Sequence, residues 1–428
     1  MHKFVTFAPC SLSGEVNIPP SKSDVHRAVI CAALSRGVSR ISPVALSEDI
    51  RATIECARAL GAECSVEGDV LTVNGEKLGS EETAALDCGE SGSTLRFFIP
   101  IAAALGVSAA FSGRGRLPQR PIGIYLDALP KFGVQCKTQG GLPLEISGKL
   151  CAGRYEIPGN ISSQFITGLL LALPLLENDS EIALTTPCES AGYIDMTVST
   201  MKKFGVEIMQ TDSGWKIPGG QSYKPHDYTT EGDWSQAAFF LCAGAIGGDV
   251  TVKGARADST QGDKAVAQIL SDFGAKLSRQ QDCTRAEKDI LTAREIDASQ
   301  IPDLVPVLAV TAALCKGQTV IKNAGRLRIK ESDRLSSTAN AINKIGGRVT
   351  ETADGLIIEG VERFYGCRDG EYVDGCNDHR IVMAMATAAV CAENPITVSD
   401  AMSINKSYPE FFNDYNRIGG KANVGSMG

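Results

Sequence analysis

The chain has 428 residues, more than one ordinary core holds, so two or three domains are expected. Hydrophobic residues make up 43% and charged residues 21%, the balance of a water-soluble globular protein, and no apolar run is long enough to span a bilayer. A net charge of −8, from 42 basic against 50 acidic residues, speaks against a nucleic-acid or membrane-surface protein, so any basic character has to be local. The opening MHKFVTFAPCSLSGEV lacks the basic start, apolar stretch and small-residue site of a signal peptide, which makes the cytoplasm the expected location. Fourteen cysteines are scattered singly with no CxxC, the pattern of reduced thiols rather than disulfides.

The first strong element is PPSKSDVHRAVICAAL, residues 19 to 34. Two prolines end one element, and Lys22, Ser23 and Arg27 then gather at the mouth of an apolar helix. Next comes CARALGAECSV, an amphipathic helix running through Gly61 into a strand. That helix, glycine and strand recur along the chain with glycines at 61, 133, 205, 274, 346 and 419, at intervals of 72, 72, 69, 72 and 73. Glycine after an apolar-periodic helix is a C-cap signal, and near-equal spacing makes this a repeat protein with a large unit. Each repeat also holds a second helix that is apolar nearly all round, the mark of burial on every side. These are HRAVICAALSRG, STLRFFIPIAAALG, SSQFITGLLLALPLL, WSQAAFFLCAGAIGG, LVPVLAVTAALCKG and DHRIVMAMATAAV. Alternating stretches such as DVLTVNG and DGLIIEG read as strands.

One repeat is thus roughly strand, buried helix, strand, outer helix, strand, strand. The fold class is α/β, with six βαβαββ-like repeats, three to a lobe around buried helices. The segment KIPGGQSYKPHDYTTEGDW, rich in Pro and Gly, marks the lobe boundary. One lobe is expected over 20–227 and the other over 228–428.

Every buried helix begins in polar residues, and a helix N-terminus attracts anions through its partial positive charge and open N–H groups. Ordinary N-caps account equally well for serines such as Ser93 and Ser259. They do not account for Lys22, Arg27, Arg96 and Arg380, because a cation in a first turn costs energy unless an anion offsets it. Further cations follow in GRGRLPQRPIG (Arg114, Arg116, Arg120), GRLRIKESDRL (Arg326, Arg328, Lys330, Arg334) and INKSYPEFF (Lys406). Arginine forks grip carboxylates and phosphates in two-pronged fashion. Asp303 is the sole carboxylate of ASQIPDLVPVLAV and fits either an N-cap or a proton acceptor. Glu331, between Lys330 and Arg334, fits an ion-pair partner or a general acid. His379 is the one histidine in such a cluster, while His2, His26 and His226 look incidental or structural. There is no P-loop, no GxGxxG after a strand, no nucleophile elbow and no metal-ligand spacing, so no cofactor or metal is expected.

The segments PPSKSDVHRA, SGSTLRF, RLPQRPI, SSQFITGLLLALPL, GYIDMT, EGDWSQAAFF, IPDLVPVLAV, LRIKESDR, DHRIVMAMA and KSYPEFF resemble, in order and over residues 19 to 412, the 5-enolpyruvylshikimate-3-phosphate (EPSP) synthases. The resemblance implies a two-lobe, inside-out α/β barrel in which residues 1–19 join the second lobe. It implies transfer of the enolpyruvyl group of phosphoenolpyruvate to the 5-hydroxyl of shikimate 3-phosphate by addition and elimination. Lys22, Ser23, Arg27, Ser162, Ser163, Gln164, Ser190, Tyr193, Asp303 and Lys330 would hold shikimate 3-phosphate. Lys22, Gly92, Arg120, Gln164, Arg334, Arg380 and Lys406 would hold phosphoenolpyruvate. Asp303 would be the base, Glu331 the acid, and Lys22 an aid to proton transfer. Glyphosate is the implied inhibitor, and a monomer is expected, with no nucleic-acid or membrane partner. The sequence departs from the family at Glu90, usually Asn, and at Arg326. The rival within the superfamily is the transferase acting on UDP-N-acetylglucosamine, which usually has a Cys in the loop matching GRGRLPQRP and lacks the KESDR run. The rival outside enzymology is a closed repeat ring around a polymer, disfavoured by the acidic charge.

Overall fold

Six stretches that are apolar on every side become helices buried on every side. The computed structural model describes residues 3–425. They fall into two units: Pro20–Thr230, and the segment up to Pro19 joined to that from Glu231. The first unit contains α1 (Lys22–Leu34), α2 (Glu48–Ala59), α3 (Gly92–Leu105), α4 (Gly123–Ala128), α5 (Ser163–Ala172) and α6 (Ala191–Lys203). The second contains α7 (Trp234–Gly247), α8 (Ala265–Asp272), α9 (Val305–Ala312), α10 (Arg334–Lys344), α11 (His379–Ala389) and α12 (Phe411–Arg417). The odd-numbered helices are the buried ones. In α7 every residue from Trp234 to Ile246 is buried, and in α1 every residue from Asp24 to Leu34. The even-numbered helices bury one stripe, as α2 does with Ile50, Thr53, Ile54 and Ala57. Each unit closes around its own apolar core.

Among the described residues the strands form five four-stranded sheets and one of three strands. In the second repeat Thr83–Asp87 lies parallel to Ser108–Ser112, with Leu144–Gly148 and Val134–Lys137 following antiparallel. The parallel pair needs a crossover, which α3 supplies, while the last two strands form a hairpin. Three strands come from outside the repeat they complete. Tyr228–Thr229 pairs parallel with Val38–Ser42 and so leads the first repeat. Ser13–Asn17 pairs parallel with Asp249–Lys253 and leads the fourth. Phe4–Phe7 sits between Ile396–Val398 and Ala422–Gly425 and completes the sixth. This pairing ties the chain before Pro20 to the later repeats. It also moves the expected break, because Tyr228 and Thr229 hydrogen-bond to the first repeat and the chain leaves that unit at 230 rather than 227. No helix among the described residues is long and apolar enough to cross a membrane.

All six repeat glycines take the left-handed conformation, with φ between 80° and 104°. Their surroundings differ. A Cβ on Gly61 would sit 2.4 Å from the Lys77 carbonyl oxygen, whereas one on Gly205 would meet the Lys224 side chain at 3.0 Å. Both alanine variants bear the left-handed penalty of about 1–2 kcal/mol, but only Gly61→Ala also has to displace backbone. Gly205→Ala is expected to lose about 1 kcal/mol and Gly61→Ala roughly 3 kcal/mol, read from denaturant midpoints of the two variants.

Candidate active site

In the Pro20–Thr230 unit the expected residues stand at the starts of buried helices and of α6. Ser21 caps α1, and Lys22, Ser23 and Arg27 occupy its first two turns. Arg27 is fully tied down: Nη1 donates to Ser23 O at 2.5 Å, Nη2 to Tyr193 O at 2.9 Å and Nε to Thr197 Oγ1 at 2.8 Å. Ser23, Arg27 and Tyr193 are therefore one cluster. Ser190, the N-cap of α6, holds φ 57°, a left-handed conformation costly for a serine. Ser162 caps α5, with Ser163 and Gln164 in its first turn. Gln164 accepts from Arg96 Nη1 at 2.5 Å and donates to Ser93 Oγ at 2.9 Å. Gly92 opens α3 with Arg120 against it, since a Cβ at 92 would lie 2.7 Å from the Arg120 guanidinium. Glu90 folds over the Arg-rich loop, where a Cβ on Gly115 would fall 2.5 Å from its carboxylate.

In the other unit Asp303 and Glu331, both half-buried, form one ion network with the buried Arg334 and Arg380. Arg334 Nη1 donates to Asp303 Oδ1 at 2.9 Å and Nη2 to Glu331 Oε2 at 2.7 Å. Arg380 Nη2 donates to Asp303 Oδ2 at 2.8 Å. Asp303 caps no helix: its turn, Pro302–Leu304, runs directly into α9, and its carboxylate faces the two arginines. Lys406 Nζ donates to Asn377 O at 2.7 Å. Arg326 donates to Ser299 O.

The cations in first turns do not wait for a ligand to be offset. Lys22 Nζ pairs with Asp49 Oδ2 at 2.7 Å, Arg380 pairs with Asp303, and Arg27 and Arg96 bond to backbone and side-chain oxygens. Two of the partners, Asp49 and Asp378, carry no local signal, and neither does the role of Arg96. Asp49 looks like an ordinary acid in the first turn of α2. Arg96 reads as one cation among several until its bonds to Gln164 and Pro121 O are seen. Asp378, fully buried, caps α11 and also accepts from Arg334 Nε at 2.7 Å and Ser332 Oγ at 3.0 Å. NDHR signals a helix start, but nothing local tells that its carboxylate meets residues 332 and 334. His26 is structural: its Nδ1 lies 2.7 Å from Thr53 Oγ1, which lies 2.7 Å from Thr94 Oγ1, a buried chain linking α1, α2 and α3. His379 is buried beside Asp378, and His2 lies outside the described residues.

The charges of this network shift one another's proton affinities. Burial works to raise the Asp303 carboxyl, but Arg380, Lys330 and Arg334 outweigh it and hold the group well below the carboxylate range. Burial lowers Arg334, yet Asp378, Glu331 and Asp303 more than restore it, so it stays a cation. Lys330 is pushed down to about 8 by burial, against the pull of Asp303 and Glu331. Arg27, lowered to about 10 by burial, remains charged at neutral pH. An anion-gripping set with a carboxylate pair on one arginine can bind multiply charged small molecules and move protons beside them. Among the described residues no group of three or more His, Cys, Asp or Glu side chains is placed to hold a metal.

A family model described as EPSP synthase (3-phosphoshikimate 1-carboxyvinyltransferase) matches residues 8–415. Among curated proteins, the 3-phosphoshikimate 1-carboxyvinyltransferase of Clostridium novyi (strain NT) is 44% identical over 435 residues, covering 99% of each chain. That of Clostridium beijerinckii is 46% identical over 422 residues, covering 96% of each. Among solved structures, EPSP synthase from Acinetobacter baumannii superposes with a TM-score of 0.83 at 25% identity over 100% of both chains. The enolpyruvyl transferase NikO from Streptomyces tendae gives 0.82 at 18% identity over 100% of both, a likeness of fold alone.

Proposed function

The chain belongs to the EPSP synthase family, and on that premise we propose that it joins phosphoenolpyruvate to the 5-hydroxyl of shikimate 3-phosphate and releases phosphate. The observation that carries this reading is the Arg334 fork, which brings Asp303 and Glu331, the two carboxylates the chemistry asks for, onto one guanidinium. The nucleotide-sugar alternative is disfavoured by the relatives at 44–46% identity, which carry the shikimate name. The family membership supports a location in the cytoplasm.

The residues divide by substrate. Ser23, Arg27, Ser162, Ser163, Gln164, Ser190, Tyr193 and Lys330 hold shikimate 3-phosphate, with Asp303 at its reacting hydroxyl. Gly92, Arg120, Gln164, Arg334, Arg380 and Lys406 hold phosphoenolpyruvate, and Lys22 serves both. In the addition step Glu331 gives a proton to the methylene carbon, the hydroxyl oxygen bonds the neighbouring carbon, and Asp303 takes the hydroxyl proton. In the elimination step the methyl group returns a proton to Glu331, the carbon–oxygen bond to phosphate breaks, and phosphate leaves with the proton that Asp303 had taken. Asp303 on two arginines is a weak base. Phosphoenolpyruvate, arriving with a carboxylate and a phosphate, draws Arg334 and Arg380 toward itself and raises the proton affinity of Asp303. The base is thus made ready by phosphoenolpyruvate, which keeps Asp303 inert until that substrate is bound.

The deciding assay follows phosphate release from phosphoenolpyruvate with shikimate 3-phosphate or UDP-N-acetylglucosamine as acceptor. Release is expected with the first alone, and release with the second alone overturns the reading. Asp303→Asn and Glu331→Gln are each expected to lower turnover by roughly 10²-fold or more with an unchanged circular dichroism spectrum. Near-normal turnover in either removes that residue from the proton transfers. Lys330 carries its charge only below about pH 8, so the KM for shikimate 3-phosphate should climb as pH rises from 7 to beyond 9. Lys330→Arg, charged throughout, should flatten that climb, and an equal climb in both proteins would remove Lys330 from shikimate 3-phosphate binding. Glyphosate should compete with phosphoenolpyruvate. A methyl at position 92 both narrows the site and pushes on the Arg120 guanidinium. Gly92→Ala should therefore raise the glyphosate inhibition constant roughly tenfold more than it raises the KM for phosphoenolpyruvate. Equal inhibition curves for the two proteins would place Gly92 outside that pocket.

A further inference from the structure

Helix α3 contains Pro100 in its interior. Proline has no N–H, so the Arg96 carbonyl, four residues earlier, lacks its ordinary helical donor. The group that reaches it comes from another helix. The Tyr125 hydroxyl, on α4, lies 2.8 Å from Arg96 O and 2.9 Å from Phe165 O on α5, and shares its proton between them. Tyr125 is completely buried, and its ring meets Phe165 edge-on with centroids 4.9 Å apart. Burial pushes the phenol well above its ordinary value, so it remains an O–H donor at any working pH.

The packing around this hydroxyl leaves no slack. A Cβ on Gly168 would fall 2.3 Å from Arg96 O, 2.4 Å from Tyr125 Oη and 3.1 Å from Pro100 Cγ. Glycine at 168 lets α5 approach the gap that Pro100 opens in α3. The same turn of α3 carries the Arg96 side chain, whose guanidinium lies over the Phe165 ring at 5.0 Å. From there Nη1 donates to Gln164 Oε1 and Nη2 to Pro121 O at 3.0 Å, beside Arg120. Two of the residues assigned to phosphoenolpyruvate, Gln164 and Arg120, are thus set from one helical turn.

We propose that Tyr125 is a positioning residue for the transfer reaction: its hydroxyl replaces the N–H missing at Pro100, fixes the Arg96 turn of α3, and through Arg96 sets Gln164 and the Arg120 segment. The assignment of Gln164 and Arg120 to phosphoenolpyruvate rests on the function proposed above, whereas the mechanical link from Tyr125 does not. A tyrosine that merely fills the core would affect stability without affecting substrate affinity. A positioning tyrosine has another consequence: restoring an N–H at residue 100 should make its hydroxyl dispensable.

The experiment compares the natural protein with Tyr125→Phe, Pro100→Ala and the double variant. Two readouts are taken: KM and kcat in the phosphate-release assay, and amide hydrogen exchange over residues 116–122 and 163–168 in the ligand-free protein. Tyr125→Phe is expected to raise the KM for phosphoenolpyruvate about tenfold while kcat falls less than about threefold, and to quicken exchange in both segments. The double variant should return KM to within about threefold of the natural value and slow the exchange again. Should Tyr125→Phe fail to fold, the double variant carries the test, and it must fold and show near-natural KM and exchange. A lower melting temperature with natural KM and exchange overturns the proposal, and so does a double variant no better than Tyr125→Phe. If the natural protein releases no phosphate, the functional reading fails, and the exchange data still decide whether Tyr125 positions the two segments.

Discussion

A helix that is apolar on every side can be buried only if its first N–H groups find partners, and six such helices impose that demand at six places. Ser21, Ser91, Ser162, Asp233 and Asp378 meet it for five of them by accepting from the first turn. The sixth, α9, is entered through the turn Pro302–Leu304 instead of a side-chain cap. Polar chemistry therefore collects at the helix starts, because those are the ends at which the buried apolar stretches stop. The same ends carry Lys22, Arg27, Arg96 and Arg380, each held by an oxygen from a neighbouring element.

Holding those cations with the protein's own oxygens has a consequence for the chemistry. A buried guanidinium left alone would cost several kcal/mol, so Arg334 is surrounded by Asp303, Glu331 and Asp378. Three carboxylates around one cation are more than neutrality needs, and Arg380 and Lys330 balance the excess at Asp303. The site is pre-organised by attraction between groups that an incoming anion would rearrange. Arg27 is different, since two carbonyl groups and the Thr197 hydroxyl hold its guanidinium in place.

The repeat architecture explains why the N-terminal segment belongs with the far end of the chain. A four-stranded sheet of this order needs a leading strand parallel to the second, and the first and fourth repeats begin with their buried helices. Tyr228–Thr229 and Ser13–Asn17 supply the missing edges. The Tyr228 hydroxyl then donates to the buried Asp24 carboxylate at 2.6 Å, tying the returning chain to the first turn of α1.

Much of this was legible in the sequence because it is local and periodic. The left-handed glycines at 61, 133, 205, 274, 346 and 419, the apolar helices and the cation-rich segments depend on neighbours a few residues away, so each stretch announces itself. The family resemblance likewise rests on contiguous motifs. What the sequence could not contain is which oxygen each cation would find. Asp49 for Lys22, Asp378 for Arg334 and Gln164 for Arg96 are distant in the chain, and nothing in SEDIR, NDHR or SSQFI marks one as a partner of the other. The role of Asp303 was open between N-cap and proton acceptor, and the turn before α9 took the capping position away. Local pattern determined the elements and the residue types at their ends, because φ/ψ preference and hydrophobic period act over one or two turns. Only the tertiary structure decided the pairings, because a buried charge takes whichever partner the packing of separate repeats delivers to it.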